Sequence, residues 1–201
     1  MTSPTEHRVT LNGVELCYFE WPGAEPAVFF AHATGFHARC WDQVVAQLNG
    51  RRAIAIDMRG HGRSEKPSTQ GLSWRHFGAD VSELVKLLEL RGAIGVGHSM
   101  GGHSVTIAAA TVPQAFAALL LLDPVILSKA AYANWNPGGT GEHFAARRRN
   151  EWASPDEMFE RFKARNFASW DPAVLHDYCD HGLLPRADGG GFELACPPAF
   201  E

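Results

Sequence analysis

The chain has 201 residues, of which 45% are hydrophobic, and its 18 lysine and arginine residues against 22 aspartate and glutamate residues give a formal net charge of −4. A chain of this size can bury about 70% of the surface that its unfolded form exposes, enough for one α/β core with a small appendage. The acidic balance argues against nucleic acid as a partner. Residues 1–8 contain no apolar run, so neither a signal peptide nor a membrane anchor is predicted, and we expect a cytoplasmic protein.

Four cysteines are spread along the chain without a C-x-x-C pair: Cys17, Cys40, Cys179 and Cys196. This spacing favours reduced thiols over a disulfide framework or a zinc site. The sequence contains no metal-ligand motif and no internal repeat, and we predict neither a metal nor a cofactor.

The first half of the chain alternates predicted strands and helices. Asn12-Gly13 predicts a tight hairpin between the first two strands, and an apolar segment with helical spacing, residues 41–48, ends at Gly50. Ser73 begins a longer helix that ends before Gly92. The predicted strands are residues 8–12, 14–20, 27–31 and 53–57.

Residues 93–112 predict a short apolar strand, a turn rich in glycine and a helix. Within the turn, Gly97-His98-Ser99-Met100-Gly101 matches G-x-S-x-G, whose glycines remove the Cβ atoms that would clash where a strand reverses into a helix. The hydroxyl of Ser99 then lies at a helix N-terminus, where the N–H of Met100 can bind the oxyanion formed when the serine attacks a carbonyl. The motif predicts a serine nucleophile, although alone it would also fit a capping serine.

Two further motifs follow earlier strands. His32-Ala33-Thr34 comes directly after the third strand, and Asp57-Met58-Arg59-Gly60-His61-Gly62-Arg63-Ser64 begins where the fourth strand ends. With the serine turn, these ordered motifs resemble the α/β-hydrolase superfamily, which has H-G-x and D-x-R-G-x-G-x-S at these places. The resemblance covers about residues 9–201. It implies an α/β-hydrolase fold, with a mostly parallel sheet, helices on both faces and a helical cap.

The resemblance also implies roles for the loop after the third strand. The backbone N–H of Thr34 would be the second oxyanion donor beside that of Met100, and His32 would hold the loop in shape. Ala33 stands where the family usually has glycine, which disfavours a positive φ at this position. His61 is expected to brace its loop rather than take part in chemistry.

Residues 118–122 form an unbroken apolar run, typical of a parallel strand covered on both faces. Asp123 ends this strand. In some members of the superfamily this position supplies the acid of the catalytic triad, and in most others the acid follows the next strand. Asp123 is therefore a candidate triad acid, with a loop-bracing carboxylate as the alternative.

After Asp123 the pattern changes. A flexible joint is predicted at residues 136–141, and two capped helices follow, beginning at Ser154 and Asp171. The resemblance identifies them as the helical cap, so the predicted domains are a core of residues 1–126 and a cap of residues 127–201. The aromatic side chains expected to form the cap core are Phe159, Phe162 and Trp170.

A serine nucleophile needs a histidine base, which in this fold follows the last strand. The sequence ends at residues 195–201, where a cap would return to the core, so the last two strands and the base are expected to be absent. The strand at residues 118–123 would then lie at an open sheet edge and favour self-association. His103, one turn beyond Ser99, and three cap histidines, His143, His176 and His181, do not have the expected position.

Three functions from different classes stay open. The first is a serine hydrolase acting on an ester, thioester, lactone or carbon–carbon bond of a small apolar substrate, with a cofactor-free perhydrolase as a sub-case. Serine in the turn disfavours epoxide hydrolase and haloalkane dehalogenase chemistry, for which related families use a carboxylate. The second is a non-catalytic hydrolase-fold protein or an inactive fragment. The third is a dinucleotide-binding domain, which Met100 disfavours because that fingerprint needs glycine there.

The first function carries specific expectations. We expect a small-molecule acyl or ester substrate, no nucleic-acid partner and no membrane partner, and the sequence leaves the oligomeric state open. Without a base, Ser99 could draw only on the oxyanion hole and on binding, which leave roughly 10³- to 10⁴-fold catalysis over water. The 201-residue chain is therefore expected to be nearly inactive.

Overall fold

The computed structural model describes residues 3–68, 73–133, 147–165 and 167–201. The predicted joint at residues 136–141 and His143 lie outside these ranges. The strands are β1 Thr5–Leu11, β2 Val14–Trp21, β3 Ala24–Ala31, β4 Arg51–Asp57, β5 Ala93–His98, β6 Phe116–Leu122, β7 Glu151–Trp152, β8 Leu183–Pro185 and β9 Phe192–Leu194. The α-helices are α1 Asp42–Ala46, α2 Trp74–Leu87, α3 Met100–Thr111, α4 Lys129–Ala133, α5 Pro155–Lys163 and α6 Pro172–His181.

Six strands form the main sheet in the order β1-β2-β4-β3-β5-β6. The β1–β2 and β2–β4 pairs are antiparallel, and β4, β3, β5 and β6 run parallel to one another. The predicted hairpin joins β1 to β2, and Asn12 and Gly13 both have positive φ, 49° and 74°, as its tight turn requires. This mostly parallel sheet confirms the predicted α/β-hydrolase fold class.

Helices cover both faces of this sheet. Successive strand residues point to opposite sides, so each strand contributes side chains to two separate cores. On one face, Phe29 and Ile56 share a core with Leu84 of α2 and Val105 of α3. On the other face, Phe30 lies in a separate core beneath α1 and a 3-10 turn at Ala38–Trp41. The α-helix predicted over residues 41–48 is shorter than expected, because residues 38–41 form this 3-10 turn and α1 ends at Ala46.

Strand β6 corrects one prediction about coverage. Among the described residues it pairs in parallel with β5 and is the edge strand of the sheet, both as expected, but only one of its faces is packed. Leu119 and Leu121 pack against the core beneath α2 and α3, whereas Leu120 and Leu122 on the opposite face are 56% and 42% exposed. The apolar sequence indicated a strand covered on both faces; among the described residues, one face and the outer backbone edge of β6 are uncovered.

We expect this edge to drive concentration-dependent self-association, because β6 carries no charged or proline residue that would oppose pairing with another chain. Leu120→Lys should weaken the association by at least about tenfold, since each buried leucine contributes about 1.5–3 kcal/mol. Analytical ultracentrifugation over a range of protein concentrations measures this. Leu87→Lys, at a leucine of α2 that is 53% exposed, is the matched control. A wild-type chain that stays monomeric at every concentration would contradict the prediction.

The C-terminal part of the chain has a core of its own. Helices α5 and α6 begin as predicted: the Ser154 hydroxyl accepts a hydrogen bond from the Glu157 N–H (3.1 Å), and the Asp171 carboxylate accepts one from the Ala173 N–H (2.8 Å). A small antiparallel sheet, β7-β9-β8, was not anticipated. The division at residues 126 and 127 stays a prediction. The main buried members of this core are Trp152, Met158, Phe159, Leu175, Tyr178 and Leu194.

All four cysteines are free thiols. No helix in the described part of the chain is long and apolar enough to cross a membrane.

Candidate active site

Ser99 lies in a strained turn between β5 and α3. Its backbone has φ 50° and ψ −112°, a left-handed conformation that a residue with a side chain rarely adopts. The end of β6 supports this turn, because the Ser99 N–H donates to the Leu122 carbonyl (2.9 Å) and the Val125 N–H donates to the Ser99 carbonyl (3.3 Å). The turn therefore has the backbone strain and the strand-to-helix position of a nucleophile elbow.

Gly101 allows a close contact between α3 and the loop after β3. A Cβ atom at Gly101 would lie 2.1 Å from the carbonyl oxygen of Ala31 and 2.7 Å from that of His32. Both clashing atoms belong to the backbone, so a side-chain movement could not relieve the overlap. Glycine at this position lets the first turn of α3 pack against the loop that leads to Thr34.

Thr34 lies beside Met100. The Thr34 hydroxyl is 3.6 Å from the sulfur of Met100, so the two predicted oxyanion donors belong to neighbouring residues on the same side of the sheet. The positive φ of this loop falls at Gly35 (78°) and not at Ala33, so the alanine causes no backbone strain there.

His32 joins the loops that follow β3 and β4. Its Nδ1 donates to the Ala33 carbonyl (2.8 Å), and its Nε2 accepts a hydrogen bond from the Met58 N–H (3.0 Å). Burial holds the pKa of His32 well below its ordinary value, which keeps the ring neutral. With both nitrogens occupied, His32 is a structural link between the two loops.

Asp57 fixes the same two loops from the core side. Its carboxylate accepts hydrogen bonds from the N–H groups of Ala38 (2.7 Å) and Arg63 (2.8 Å). Burial raises the pKa of Asp57, and these two hydrogen bonds oppose that shift.

A buried ion pair lies next to this loop. Arg59 donates to both carboxylate oxygens of Asp80 on α2 (2.6 Å each), and the Asn12 amide donates to one of them (2.9 Å). The two charged side chains are only 7% and 1% exposed. The pair therefore links the hairpin turn, helix α2 and the loop after β4.

Asp123 lies at the end of β6, beside the end of β5. It has a positive φ of 43°, and its preceding residue, Leu122, pairs with His98 in the sheet. Burial lowers the pKa of His98, and the charge of Asp123 raises it in opposition. The candidate acid thus acts electrostatically on His98, a residue to which the sequence assigned no role. The signal that could have pointed to His98 was its position directly before Ser99 in the motif.

The other described histidines make structural contacts. His176 stacks on Phe159, with ring centroids 3.7 Å apart. Burial lowers the pKa of His37 to about 3 and that of His61 to about 4, so both rings stay neutral near pH 7. Three rings hydrogen-bond backbone carbonyls: His37 that of Tyr178 (3.1 Å), His61 that of Arg59 (2.9 Å) and His103 that of Val125.

A cavity of about 180 Å³ lies between the loop after β3 and the start of α6. Its walls are largely aromatic, formed by Phe36 and Trp41 from the segment after β3 and by Trp170 with Val174 from the start of α6. His98, the neighbour of Ser99 in the chain, also lines it.

The C-terminal part of the chain contacts the loop after β3. The Phe36 ring stacks on Trp170 (centroids 5.9 Å apart) and contacts Tyr178 (5.3 Å). Arg148 forms an ion pair with Glu201 and donates to the Tyr178 hydroxyl (2.9 Å), and both charged side chains lie close to Gly35.

The sheet, the strained serine turn and the adjoining loops together define an α/β hydrolase. Residues 28–198 match the model of the Alpha/beta hydrolase family, and the chain belongs to that family.

Similar proteins include several enzymes. The chain is 34% identical over 158 residues to a non-heme chloroperoxidase from Streptomyces lividans, covering 77% of this chain and 52% of that protein. It is 35% identical over 133 residues to a bifunctional esterase/perhydrolase from Acinetobacter calcoaceticus, covering 65% of this chain and 48% of that protein. The matches therefore span about half the length of these curated relatives.

Solved structures share the fold. An E-2-(acetamidomethylene)succinate hydrolase superposes with a TM-score of 0.77 at 24% identity, covering 98% of this chain and 70% of that one. A thioesterase domain from the curacin biosynthetic pathway gives a TM-score of 0.78 at 19% identity, covering all of this chain and 75% of that one. At these identities the likeness concerns the fold alone.

Proposed function

We propose that this chain supplies the nucleophile and the oxyanion hole of a serine hydrolase that cleaves small ester substrates. The observation that carries the proposal is the strained backbone of Ser99 at the start of α3, with Thr34 against Met100 beside it. The similarity to an esterase/perhydrolase supports it. A hydroxyl in place of a carboxylate in the elbow favours acyl transfer over the epoxide opening named for another relative, an epoxide hydrolase from Caballeronia sordidicola.

In this proposal, the Ser99 hydroxyl attacks the ester carbonyl and loses its proton to a base. The N–H groups of Met100 and Thr34 stabilise the oxyanion of the tetrahedral intermediate. Its collapse expels the alcohol and leaves an acyl-serine, which water then hydrolyses by the same sequence. Asp123 orients the base and stabilises its protonated form.

The base stays unassigned in this proposal, because His32, His37, His61 and His103 hydrogen-bond backbone groups. Among the described residues, no hydrogen bond joins His98 to Ser99 either. The chain should therefore react slowly with a fluorophosphonate, a reagent that modifies activated serines. Free imidazole can act as the general base instead. We expect imidazole to accelerate modification of Ser99 by at least about tenfold. This is less than the rate enhancement of roughly 10²- to 10⁴-fold that a positioned base contributes, because free imidazole is not held in place. Mass spectrometry of the intact chain and its peptides measures the rate and the site.

Two variants sharpen this test. Ser99→Ala should give no imidazole-dependent adduct. Alanine lacks only one oxygen atom and must adopt the same backbone conformation, so the thermal unfolding of this variant should resemble that of the wild type. His98→Gln should leave imidazole-dependent labelling intact. Rapid labelling without imidazole that disappears in His98→Gln would instead make His98 the base, with Asp123 as its partner.

A non-catalytic hydrolase-fold protein is the second candidate. The engagement of the four histidines in backbone contacts is the observation that favours it. Failure of Ser99 to react at any imidazole concentration, in a chain with normal thermal unfolding, would support this candidate over the serine hydrolase.

A further inference from the structure

We propose that the cavity between the loop after β3 and helix α6 binds the acyl group of the substrate, and that it accepts one uncharged six-membered ring or a group of that size. This inference rests on the proposed function, because it treats the cavity as part of the Ser99 site. Three features carry it: the cavity's position, its volume and the absence of charge on its described walls.

The position follows from the chain neighbours of the proposed catalytic groups. Ala33 and His98 line the cavity, and they directly precede Thr34 and Ser99. An acyl group bound by the serine oxygen therefore has the cavity next to it, and Trp170 and Val174 are among the cavity walls. An ester whose acyl part enters the cavity presents its carbonyl carbon toward Ser99.

The volume is sufficient for a ring on the acyl group. The cavity measures about 180 Å³, and an apolar cavity of roughly 150 Å³ in another protein is large enough to hold benzene. A phenyl or cyclohexyl group therefore fits. Phe36 and Trp170, stacked on each other, form a wall suited to the flat face of a ring.

The walls carry no compensating charge for an ionised substituent. None of the described residues that line the cavity is lysine, arginine, aspartate or glutamate. The ring of His32 is neutral with both nitrogens bonded, burial lowers the pKa of His98, and burial keeps the Cys40 thiol protonated by raising its pKa. A carboxylate at the far end of the acyl group would lose its hydration without gaining an ion pair.

Binding of amide probes tests this without requiring turnover. We expect 4-methylbenzamide to bind saturably at pH 7.5, detected by calorimetry and by the fluorescence of the tryptophans that line the cavity. 4-Carbamoylbenzoate has a similar shape but a carboxylate at the far end, and it should bind at least about 30-fold more weakly because of the uncompensated charge.

Two substitutions locate the binding site. Val174→Phe fills the cavity and should weaken 4-methylbenzamide binding by at least tenfold, whereas Val44→Phe makes the same change at an exposed valine of α1 and serves as the matched control. Near-ultraviolet circular dichroism shows whether each variant keeps the native packing.

Equal affinity for 4-methylbenzamide and 4-carbamoylbenzoate would overturn the inference, as would undiminished binding by a natively packed Val174→Phe. These outcomes are separable from failure of the proposed function. Selective amide binding by a chain whose Ser99 never reacts with the fluorophosphonate would retain the ligand class and reject the hydrolase. Labelling of Ser99 together with unselective amide binding would do the reverse.

Discussion

Gly101→Ala is expected to destabilise the chain and to abolish imidazole-dependent labelling of Ser99. Alanine is the better helix former, and in an exposed helix this change would stabilise by about 0.5–1 kcal/mol. At this position the new Cβ would lie 2.1 Å from the Ala31 carbonyl oxygen, so the loop that carries Thr34 must move away from α3. Overpacking of this kind costs about 1–3 kcal/mol or more, which outweighs the gain in helix propensity.

Gly78→Ala in α2 is the matched control for this prediction. Its Cβ would also meet close neighbours, at 2.6–2.8 Å, all in the side chain of Ile107 on α3 and including the Cβ atom, which no rotamer change can move. The control should therefore lose stability as well, but it should keep the labelling of Ser99, because the contact is not with the loop that carries Thr34. Urea unfolding and fluorophosphonate labelling of both variants measure the two effects. A Gly101→Ala chain that is more stable than the wild type and labels normally would show that the predicted contact between loop and helix is wrong.

Breaking the pair between Arg59 and Asp80 is expected to have the second large effect. Asp80→Leu alone leaves a buried guanidinium without its partner, and Arg59→Met alone leaves a buried carboxylate, so each should lower the free energy of unfolding by about 3–5 kcal/mol. The double variant removes both charges together and should lie within about 1–2 kcal/mol of the wild type, because apolar side chains of similar volume replace a desolvated pair.

Urea unfolding of the four chains as a double-mutant cycle measures this coupling. The exposed pair between Lys86 and Glu83 on the same helix is the control, and its removal should change stability by less than about 1 kcal/mol. Additive losses in the double Arg59/Asp80 variant would mean that the two side chains contribute independently, contrary to the bidentate geometry.

The features that were predictable from the sequence have local signals. Asn12-Gly13 specifies its turn through backbone conformation, Ser154 and Asp171 cap helices that begin at the next residue, and the glycines around Ser99 permit a sharp elbow. Each of these signals depends on a few consecutive residues. The fold class followed because three such motifs occur in a fixed order along one chain.

The features that were missed depend on contacts between distant residues. The strands of the small sheet have two or three residues each, too few for a period to show, and Trp152 pairs with Phe192, forty residues away in sequence. The exposure of Leu120 depends on whether other elements cover that face of β6. The strand has the same apolar sequence whether the face is covered or not, so the sequence could not predict the exposure. The proximity of Asp123 to His98 follows from the register of β6 on β5, which no single motif contains.

The double attachment of the loop after β3 has a consequence for exchanging caps between relatives. The core fixes this loop through Asp57 and Gly101, while the C-terminal part of the chain fixes it through the Tyr178 carbonyl and the face of Trp170. A transplanted C-terminal part would have to reproduce those two attachments to keep Thr34 in place. This part of the chain is therefore not an interchangeable module: in a chimera, replacing it would also change the position of the loop that carries Thr34.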